Sequence, residues 1–178
     1  MTSISIAQLS TEALALDFLH SSEGNWKSQR RYYTLKQETE PQEVVSYITI
    51  RNLVQGCPEL IKLANLHDLE DENAILGGSI VTWESNYIKP SRQPLKGSTI
   101  FGILGDILYR DKGFATDKPV TAIYSMTNPN TLCLRTEYGG SVFEEEIKMI
   151  NQQYRTRQTI ISRAGEEIMV TQYLENRI

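Results

Sequence analysis

Apolar and polar residues alternate along most of the second half of the chain, in short runs that turn residues separate. An alternation with a period of two residues is typical of a β-strand with one buried face. The pattern predicts strands over residues 74–86, 99–104, 120–126, 131–138, 141–150, 154–163 and 167–174. Turn residues such as Gly139-Gly140 and Ala164-Gly165 join the later runs. Such short connections are typical of hairpins between strands that are neighbours in sequence.

The first half of the chain combines a helical pattern with two further strands. Apolar residues recur with helical spacing over residues 8–20, and Ser10 is a suitable N-cap for that helix. The runs 26–36 and 43–53 alternate as strands do, and Pro58 is placed to open a second, short helix.

The number of predicted strands indicates how the sheet is completed. About eight to ten sequential strands favour a closed antiparallel up-and-down β-barrel, because closure removes the exposed edges of a sheet. We therefore expect a mainly β fold with one or two short helices. A chain of 178 residues can bury one sizeable core, and no linker or repeat divides it. We expect one barrel domain over residues 1–178, with an N-terminal helix.

Glu145 falls on the apolar side of its predicted strand. Its neighbours on that face are Phe143, Ile147 and Met149. A buried carboxylate must find a partner or take up a proton, because burying an unpaired charge costs several kcal/mol. The next predicted strand carries Arg155 and Arg157 on one face. A carboxylate and two arginines on adjacent strands indicate a polar site inside the β structure.

Two interpretations of this cluster stay open at the level of the residues. Glu145 is either a structural partner of Arg155 or Arg157, or part of a site for a small ligand, which barrels of this size can hold. Trp26 and Trp83 are more often core residues than ligand platforms.

Composition narrows the classes of function. The net charge is −4 and no basic stretch is present, which argues against a nucleic-acid partner. No apolar run approaches a membrane span, and the N-terminus lacks a signal-peptide pattern, so we expect a cytoplasmic protein without a membrane partner. The cysteines and histidines lie far apart, at Cys57, Cys133, His20 and His67. Their spacing supports neither a metal site nor a Cys–His nucleophile.

Several segments, in one order and at related spacings, resemble the S-type phycobiliprotein lyases (CpcS/CpeS). Residues 24–30 read Gly-Asn-Trp-Lys-Ser-Gln-Arg and resemble the Gly-x-Trp-x-Ser-x-Arg start of that family's first strand. The family's closing pattern is a glutamate, then Arg-x-Arg and a hydroxyl residue, here Glu145, Arg155, Arg157 and Thr159. Further matching segments surround Trp83 and cover residues 110–114, residues 132–138 and Glu175-Asn176-Arg177. The resemblance covers nearly the whole chain after the first dozen residues.

The resemblance implies a fold and an activity. The fold would be a lipocalin-like, fatty-acid-binding-protein-like barrel, in agreement with the hairpin pattern. The activity would be that of a lyase that binds a linear tetrapyrrole (a bilin), typically phycocyanobilin. It would join the bilin by a thioether bond to a cysteine of a phycobiliprotein subunit, of the phycocyanin or allophycocyanin type. The bilin is then a transferred substrate, and no metal or prosthetic group is implied.

By the same resemblance, the interior polar residues have roles toward the bilin. Glu145 would accept hydrogen bonds from the pyrrole N–H groups. Arg155 and Arg157, together with Arg30, would bind the two propionates. The rings of Trp83 and Tyr154 would lie against the conjugated plane. The implied catalytic residues are Glu145, Arg155 and Arg157, and the implied bilin-binding residues are Arg30, Trp83, Tyr154 and Thr159.

Other classes of function stay open from the sequence. A plain carrier barrel for a fatty acid or another apolar ligand would use the arginines to hold a carboxylate. A non-catalytic partner subunit of a lyase complex would share the fold without any need for Glu145. A homodimer and a hetero-oligomer with a related lyase subunit are both compatible with the resemblance.

Overall fold

Ten strands and two helices make up the part of the chain that the computed structural model describes, residues 2–87 and 95–178, with side chains from residue 11 onward except that of Tyr87. The elements in chain order are α1 (Thr2–Ser21), β1 (Gly24–Thr34), β2 (Gln42–Val54), α2 (Pro58–Leu66), β3 (Gly77–Tyr87), β4 (Leu95–Leu104), β5 (Ile107–Arg110), β6 (Val120–Asn128), β7 (Thr131–Tyr138), β8 (Ser141–Met149), β9 (Tyr154–Arg163) and β10 (Glu166–Arg177).

Each strand is antiparallel to the next one in sequence, and β1 pairs with β10 to close the sheet into a barrel. In this seam Ser28 of β1 lies opposite Glu175 of β10. The β7–β8 turn illustrates how the hairpins form, since Gly139 and Gly140 have φ angles of 59° and 77°. Positive φ at both positions of a two-residue turn matches the twist of the strands that it joins. The predicted mainly β, antiparallel up-and-down barrel is confirmed.

The observed strands differ from the predicted ones mostly at their ends. β4 begins at Leu95 rather than at residue 99, and β10 continues to Arg177 rather than ending at residue 174. The alternation does not reveal β5, because a four-residue run shows too few positions to define a period. This short strand nevertheless bridges β4 and β6 and so completes the barrel wall.

Helix α1 closes one end of the barrel. Phe18 and Leu19 pack with interior apolar residues of β4 to β7. Glu12 ties the helix to the β4–β5 turn, because its Oε1 accepts a hydrogen bond of 2.8 Å from the backbone N–H of Gly105. Tyr124 donates its hydroxyl to the carbonyl of Gly105 at 2.6 Å. The helix is therefore fixed to the barrel by both apolar packing and polar contacts.

The start of α1 lies earlier than expected. The predicted helical segment is confirmed, but the predicted N-cap at Ser10 is wrong, because the helix begins at Thr2. No glycine or proline occurs in residues 2–20, so the local sequence contains no residue that would end a helix extending before position 10.

Helix α2, the predicted short helix, lies on the outside of the barrel. Its buried residues Leu60, Leu63 and Ala64 pack with the outward side chains of Ile80 and Ile100. These contacts support β3 and β4 from the outside of the barrel.

Neither helix has the length and apolar character that crossing a membrane requires, within residues 2–87 and 95–178. The same described residues contain no group of three His, Cys, Asp or Glu side chains that could hold a metal ion. Cys57 and Cys133 are free thiols, and neither lines the interior of the barrel.

Candidate functional site

The barrel encloses a cavity of about 670 Å³, a volume within the usual range for a small-molecule site. Phe18 and Leu19 of α1 form its floor, and exposed residues of the loop 111–119 line its mouth. The other apolar lining residues are Ile48, Ile50, Val81, Trp83, Phe101, Leu108, Leu132, Leu134, Ile147, Ile161 and Met169. Four arginines also line the cavity: Arg30, Arg110, Arg155 and Arg157.

Glu145 lies inside the barrel with 1% of its side chain exposed. Arg157 donates to Glu145 Oε2 from Nε at 3.0 Å and also from Nη2, and Arg110 Nη1 lies 3.5 Å from Oε1. The β8–β9 register produces this contact, because Glu145 lies opposite Thr159 and Arg157 is the next inward residue of β9. The predicted interior carboxylate with an arginine partner on the next strand is confirmed.

Arg155 pairs with a second interior carboxylate, Glu175, rather than with Glu145. Its Nε donates to Glu175 Oε1 at 2.7 Å, and the two side chains are 7% and 0% exposed. The guanidinium of Arg155 also lies 4.8 Å from the ring centroid of Trp26, and that of Arg177 lies 4.3 Å from the same ring. This ion pair is therefore buried in the barrel wall, between the cavity and the pairing of β1 with β10.

Glu175 escapes prediction because the alternating run is expected to end at residue 174. The signal is nevertheless present in the sequence, since Thr171, Tyr173 and Glu175 occupy every second position of β10. Of the two arginines expected as partners of Glu145, Arg157 makes the contact and Arg155 does not.

The ionisation of these groups follows from burial and from mutual attraction. Burial raises the pKa of Glu175, but attraction to Arg155 and Arg157, with a hydrogen bond from Ser28, outweighs it, so the pKa is lowered. Burial lowers the pKa of Arg155, and Glu175 offsets only part of that effect. For Arg157 the effect of burial is overcome by Glu145, and the pKa is raised.

The lowered pKa of Glu175 makes stability depend on pH. A carboxylate whose pKa is lower in the folded state stabilises fully above its unfolded value of 4.5, and that contribution is lost as the pH falls through the folded value. We expect the free energy of unfolding to fall with acidification below pH 4.5, and to fall less steeply in Glu175→Gln. Denaturant titrations between about pH 6 and pH 3 measure both slopes. Equal slopes in the two proteins would contradict this assignment.

Arg110 connects the interior carboxylate to the mouth of the cavity. Its guanidinium carbon lies 4.8 Å from the ring centroid of Phe114, which in turn stacks on Phe143 at 4.8 Å. Burial lowers the pKa of Arg110, and Glu145 offsets part of that effect. The sequence predicts no role for Arg110, because it ends a strand too short to show a period and precedes an irregular loop.

The other predicted site residues divide between the interior and the outer surface. Arg30, Trp83 and Thr159 line the cavity. Tyr154 lies on the outer face of the barrel with 44% of its surface exposed, so its predicted contact with the bilin is wrong. Neighbouring residues of a strand point to opposite faces, and the inward position of Arg155 places Tyr154 outside.

An interior aromatic ring that the sequence does not predict is that of Tyr173. The guanidinium carbons of Arg30 and Arg157 lie 5.1 Å and 5.2 Å from its centroid. Burial raises the pKa of the Tyr173 hydroxyl. Tyr173 therefore keeps its proton and holds two arginines at the cavity wall.

Some buried polar atoms at the cavity have no hydrogen-bond partner within the described ranges. They are Nε of Arg110, Oγ of Ser79 and Oγ1 of Thr159. Leaving a buried polar group unpaired costs about 1–3 kcal/mol, so such groups are rare in folded proteins. Their position at the cavity is suited to a ligand that carries polar groups as well as apolar surface.

Comparisons with known proteins agree with one another. The family model described as CpeS-like protein matches residues 15–178. A Nostoc sp. protein named "Putative phycocyanobilin lyase CpcS 2" is 58% identical over 167 residues, which cover 94% of this chain and 92% of the relative. A Picosynechococcus sp. protein named "Putative chromophore lyase CpcV" is 48% identical over 161 residues, covering 90% and 80%. The solved structure of an S-type phycobiliprotein lyase from Guillardia theta has the same fold, with a TM-score of 0.77, 22% identity and 92% of each chain covered.

Proposed function

The chain belongs to the CpeS-like protein family, and we propose that it is a phycobiliprotein lyase. It binds a bilin of the phycocyanobilin type inside the barrel and attaches it through a thioether to a cysteine of a phycobiliprotein subunit. The observation that carries this proposal is the buried Glu145, held by Arg157 and Arg110 at the wall of a cavity of about 670 Å³. The bilin is the transferred substrate, and the acceptor is a subunit of the phycocyanin or allophycocyanin type in the cytoplasm.

The chemistry of a bilin matches the inner surface of the barrel. Its conjugated plane suits the apolar lining, where Trp83 is fixed by its close approach to Gly97. Its pyrrole N–H groups need an acceptor, and Glu145 supplies a carboxylate. The hydroxyls of Ser79 and Thr159 offer hydrogen bonds to the lactam groups at the ends of the chromophore.

The balance of charge at the cavity suits the two propionates of a bilin. Four arginines line the cavity, and two buried carboxylates lie beside them. Glu145 pairs with Arg157, and Glu175 pairs with Arg155. Arg30 has no carboxylate partner among the described residues, and Arg110 shares Glu145 with Arg157, at the longer distance of 3.5 Å. Buried positive charge is costly unless it is compensated. Two bound propionates would supply that compensation.

The proposed reaction needs no nucleophile from this chain. The sulfur of the acceptor cysteine bonds to the ethylidene carbon of ring A, while the S–H proton ends on the ring carbon at the other end of that double bond. Glu145 stabilises the protonated, more electrophilic tetrapyrrole. The barrel contributes rate mainly by holding the bilin in one orientation and excluding water.

One experiment separates this function from the carrier barrel and from the non-catalytic subunit. The purified chain is mixed with phycocyanobilin and then with an apo-phycobiliprotein subunit. A lyase gives a red-shifted, sharpened bilin spectrum, followed by a covalent adduct on the acceptor that survives denaturation. A partner subunit gives the adduct only after a related lyase subunit is added. A carrier for apolar ligands gives neither signal and would overturn the proposal.

The surplus arginines lead to a prediction about bilin affinity. Arg30→Gln and Arg110→Gln should each weaken phycocyanobilin binding about 10- to 100-fold, because each loses a charge-assisted hydrogen bond of roughly 1.5–3 kcal/mol. Fluorescence or absorbance titration at one ionic strength measures the change.

The bilin dimethyl ester is the matched control ligand, because its propionates carry no charge. Each variant should bind the ester as the unsubstituted protein does. Arg51→Gln, which removes an exposed arginine paired with Glu59 on the outer surface, should change neither affinity. An equal loss of affinity for the acid and the ester would show that these arginines do not bind propionates.

A further inference from the structure

An apolar surface surrounds one side of the cavity mouth. We call it the mouth patch, and its residues are the exposed Leu35, Phe114 and Ile168, the half-buried Ile161 and Met169, and the buried Phe143, on which Phe114 stacks. Three of them are large hydrophobic residues with 37–39% of their surface exposed: Leu35, Phe114 and Ile168. Exposed apolar residues that form a contiguous patch commonly mark an interaction site, whereas single ones need no explanation.

The mouth patch is contiguous across four neighbouring elements. Phe114 stacks on Phe143 of β8, which lies opposite Ile161 of β9. Ile161 lies opposite Met169 of β10, and the residue before it is Ile168.

A β-bulge and a backbone hydrogen bond place the far end of the patch. The β9–β10 register shifts between Glu167 and Met169, which leaves Ile168 without an opposing residue. Bulges at barrel rims commonly redirect a side chain. The backbone N–H of Leu35 donates to the carbonyl of Ile168 at 3.0 Å, so these two apolar side chains lie side by side at the rim.

The position of the patch follows from how the cavity opens. Helix α1 fills the opposite end of the barrel, so a molecule outside reaches a bound bilin through the mouth. Phe114, Ile161 and Met169 belong to both the cavity lining and the patch. A protein whose cysteine reaches the bilin therefore approaches this end of the barrel, where the patch is the apolar side of the rim.

We propose that the mouth patch is the docking surface for the acceptor protein, and that it receives an apolar face surrounding the acceptor's reactive cysteine. This inference rests on the proposed lyase function. The ion pair between Lys36 and Glu166 lies beside the patch, and Lys112 and Asp117 lie at the mouth. An apolar centre with a charged rim is the usual composition of a protein interface.

The test uses charge substitutions at two patch residues that do not line the cavity, Leu35 and Ile168. One double variant carries Asp at both positions and the other carries Lys at both. Complex formation is measured by sedimentation velocity, using the bilin-loaded chain and an apo-phycobiliprotein subunit whose acceptor cysteine is replaced by serine. Transfer is measured in parallel with the unmodified acceptor. Ile123→Asp, an exposed residue on the outer face of β6, is the matched control.

We expect both double variants to bind phycocyanobilin with unchanged affinity and spectrum, and to lose at least tenfold in acceptor binding and in transfer at low acceptor concentration. Raising the acceptor concentration should restore transfer. If only the Asp variant or only the Lys variant lost acceptor binding, the rim charges rather than the apolar patch would hold the acceptor. That result would overturn the proposal.

Other outcomes also decide the question. Unchanged complex formation in both variants, or no complex with the unsubstituted chain, overturns docking at this surface. Self-association of the unsubstituted chain that the variants abolish would assign the patch to a second copy of this chain instead. Failure of the lyase function itself is distinct, because the unsubstituted protein would then give no bilin spectrum and no adduct.

Discussion

Glu175→Gln is expected to lower the free energy of unfolding by about 3–5 kcal/mol, because it leaves Arg155 as a buried charge without its partner. The pair is sealed from solvent, with Glu175 fully buried and Arg155 against the ring of Trp26. For a chain of this length the loss corresponds to a decrease in melting temperature of roughly 6–20 °C. Chemical denaturation at neutral pH measures the effect directly.

A surface ion pair supplies the control for this experiment. Glu137→Gln removes a carboxylate that binds Arg135 on the outer face of β7, and exposed pairs contribute about 0–1 kcal/mol. The two substitutions are chemically identical and differ in burial. If both variants lost the same small amount of stability, the interior pair would not be holding the barrel together.

Glu145→Gln is expected to have the opposite profile, with transfer slowed about 100-fold or more and little change in melting temperature. The substitution keeps the shape but removes the charge that favours the protonated bilin, so the bound pigment should also lose its red-shifted absorption. Stability should change little because Arg157, with 21% of its side chain exposed, can be hydrated through the cavity. The glutamine oxygen can also still accept a hydrogen bond from it.

Absorption of the bound bilin, the rate of transfer and the melting temperature are measured on the same preparation of Glu145→Gln. A drop in melting temperature as large as that of Glu175→Gln, with normal transfer, would make Glu145 a structural ion-pair partner only. An unchanged spectrum together with an unchanged rate would rule out any role of this carboxylate in the reaction.

The sequence predicts most of the barrel wall because strand alternation and turn residues are local signals. The bounds of β7 and β9 agree with the predicted runs, and Glu145 is inward as its apolar neighbours indicate. The pairing of arginines with carboxylates is not a local signal. For Arg155 it depends on the register of the β9–β10 hairpin, which places Glu175 opposite it from twenty residues away.

The errors at the site have two different origins. Tyr154 was expected beside the bilin although alternation with Arg155 places it outside, so family resemblance prevailed over a rule that the residues themselves supply. Arg110 lies in the family-like segment 110–114 and Tyr173 in the predicted strand 167–174, but only tertiary packing brings them beside Glu145 and the other arginines.

The seam between β1 and β10 determines when a binding-competent protein exists. It joins Trp26 to Arg177 and Ser28 to Glu175, so these contacts can form only after the chain has been synthesised through β10. Contacts this distant in sequence are acquired late in folding. The wall of the cavity lies partly on these two strands, where Arg30 of β1 lies opposite Tyr173 of β10 and contacts its ring. If the bilin binds at this wall as proposed, a chain whose β1–β10 seam is open has no complete site for it, and we expect the pigment to bind only after the ring has closed.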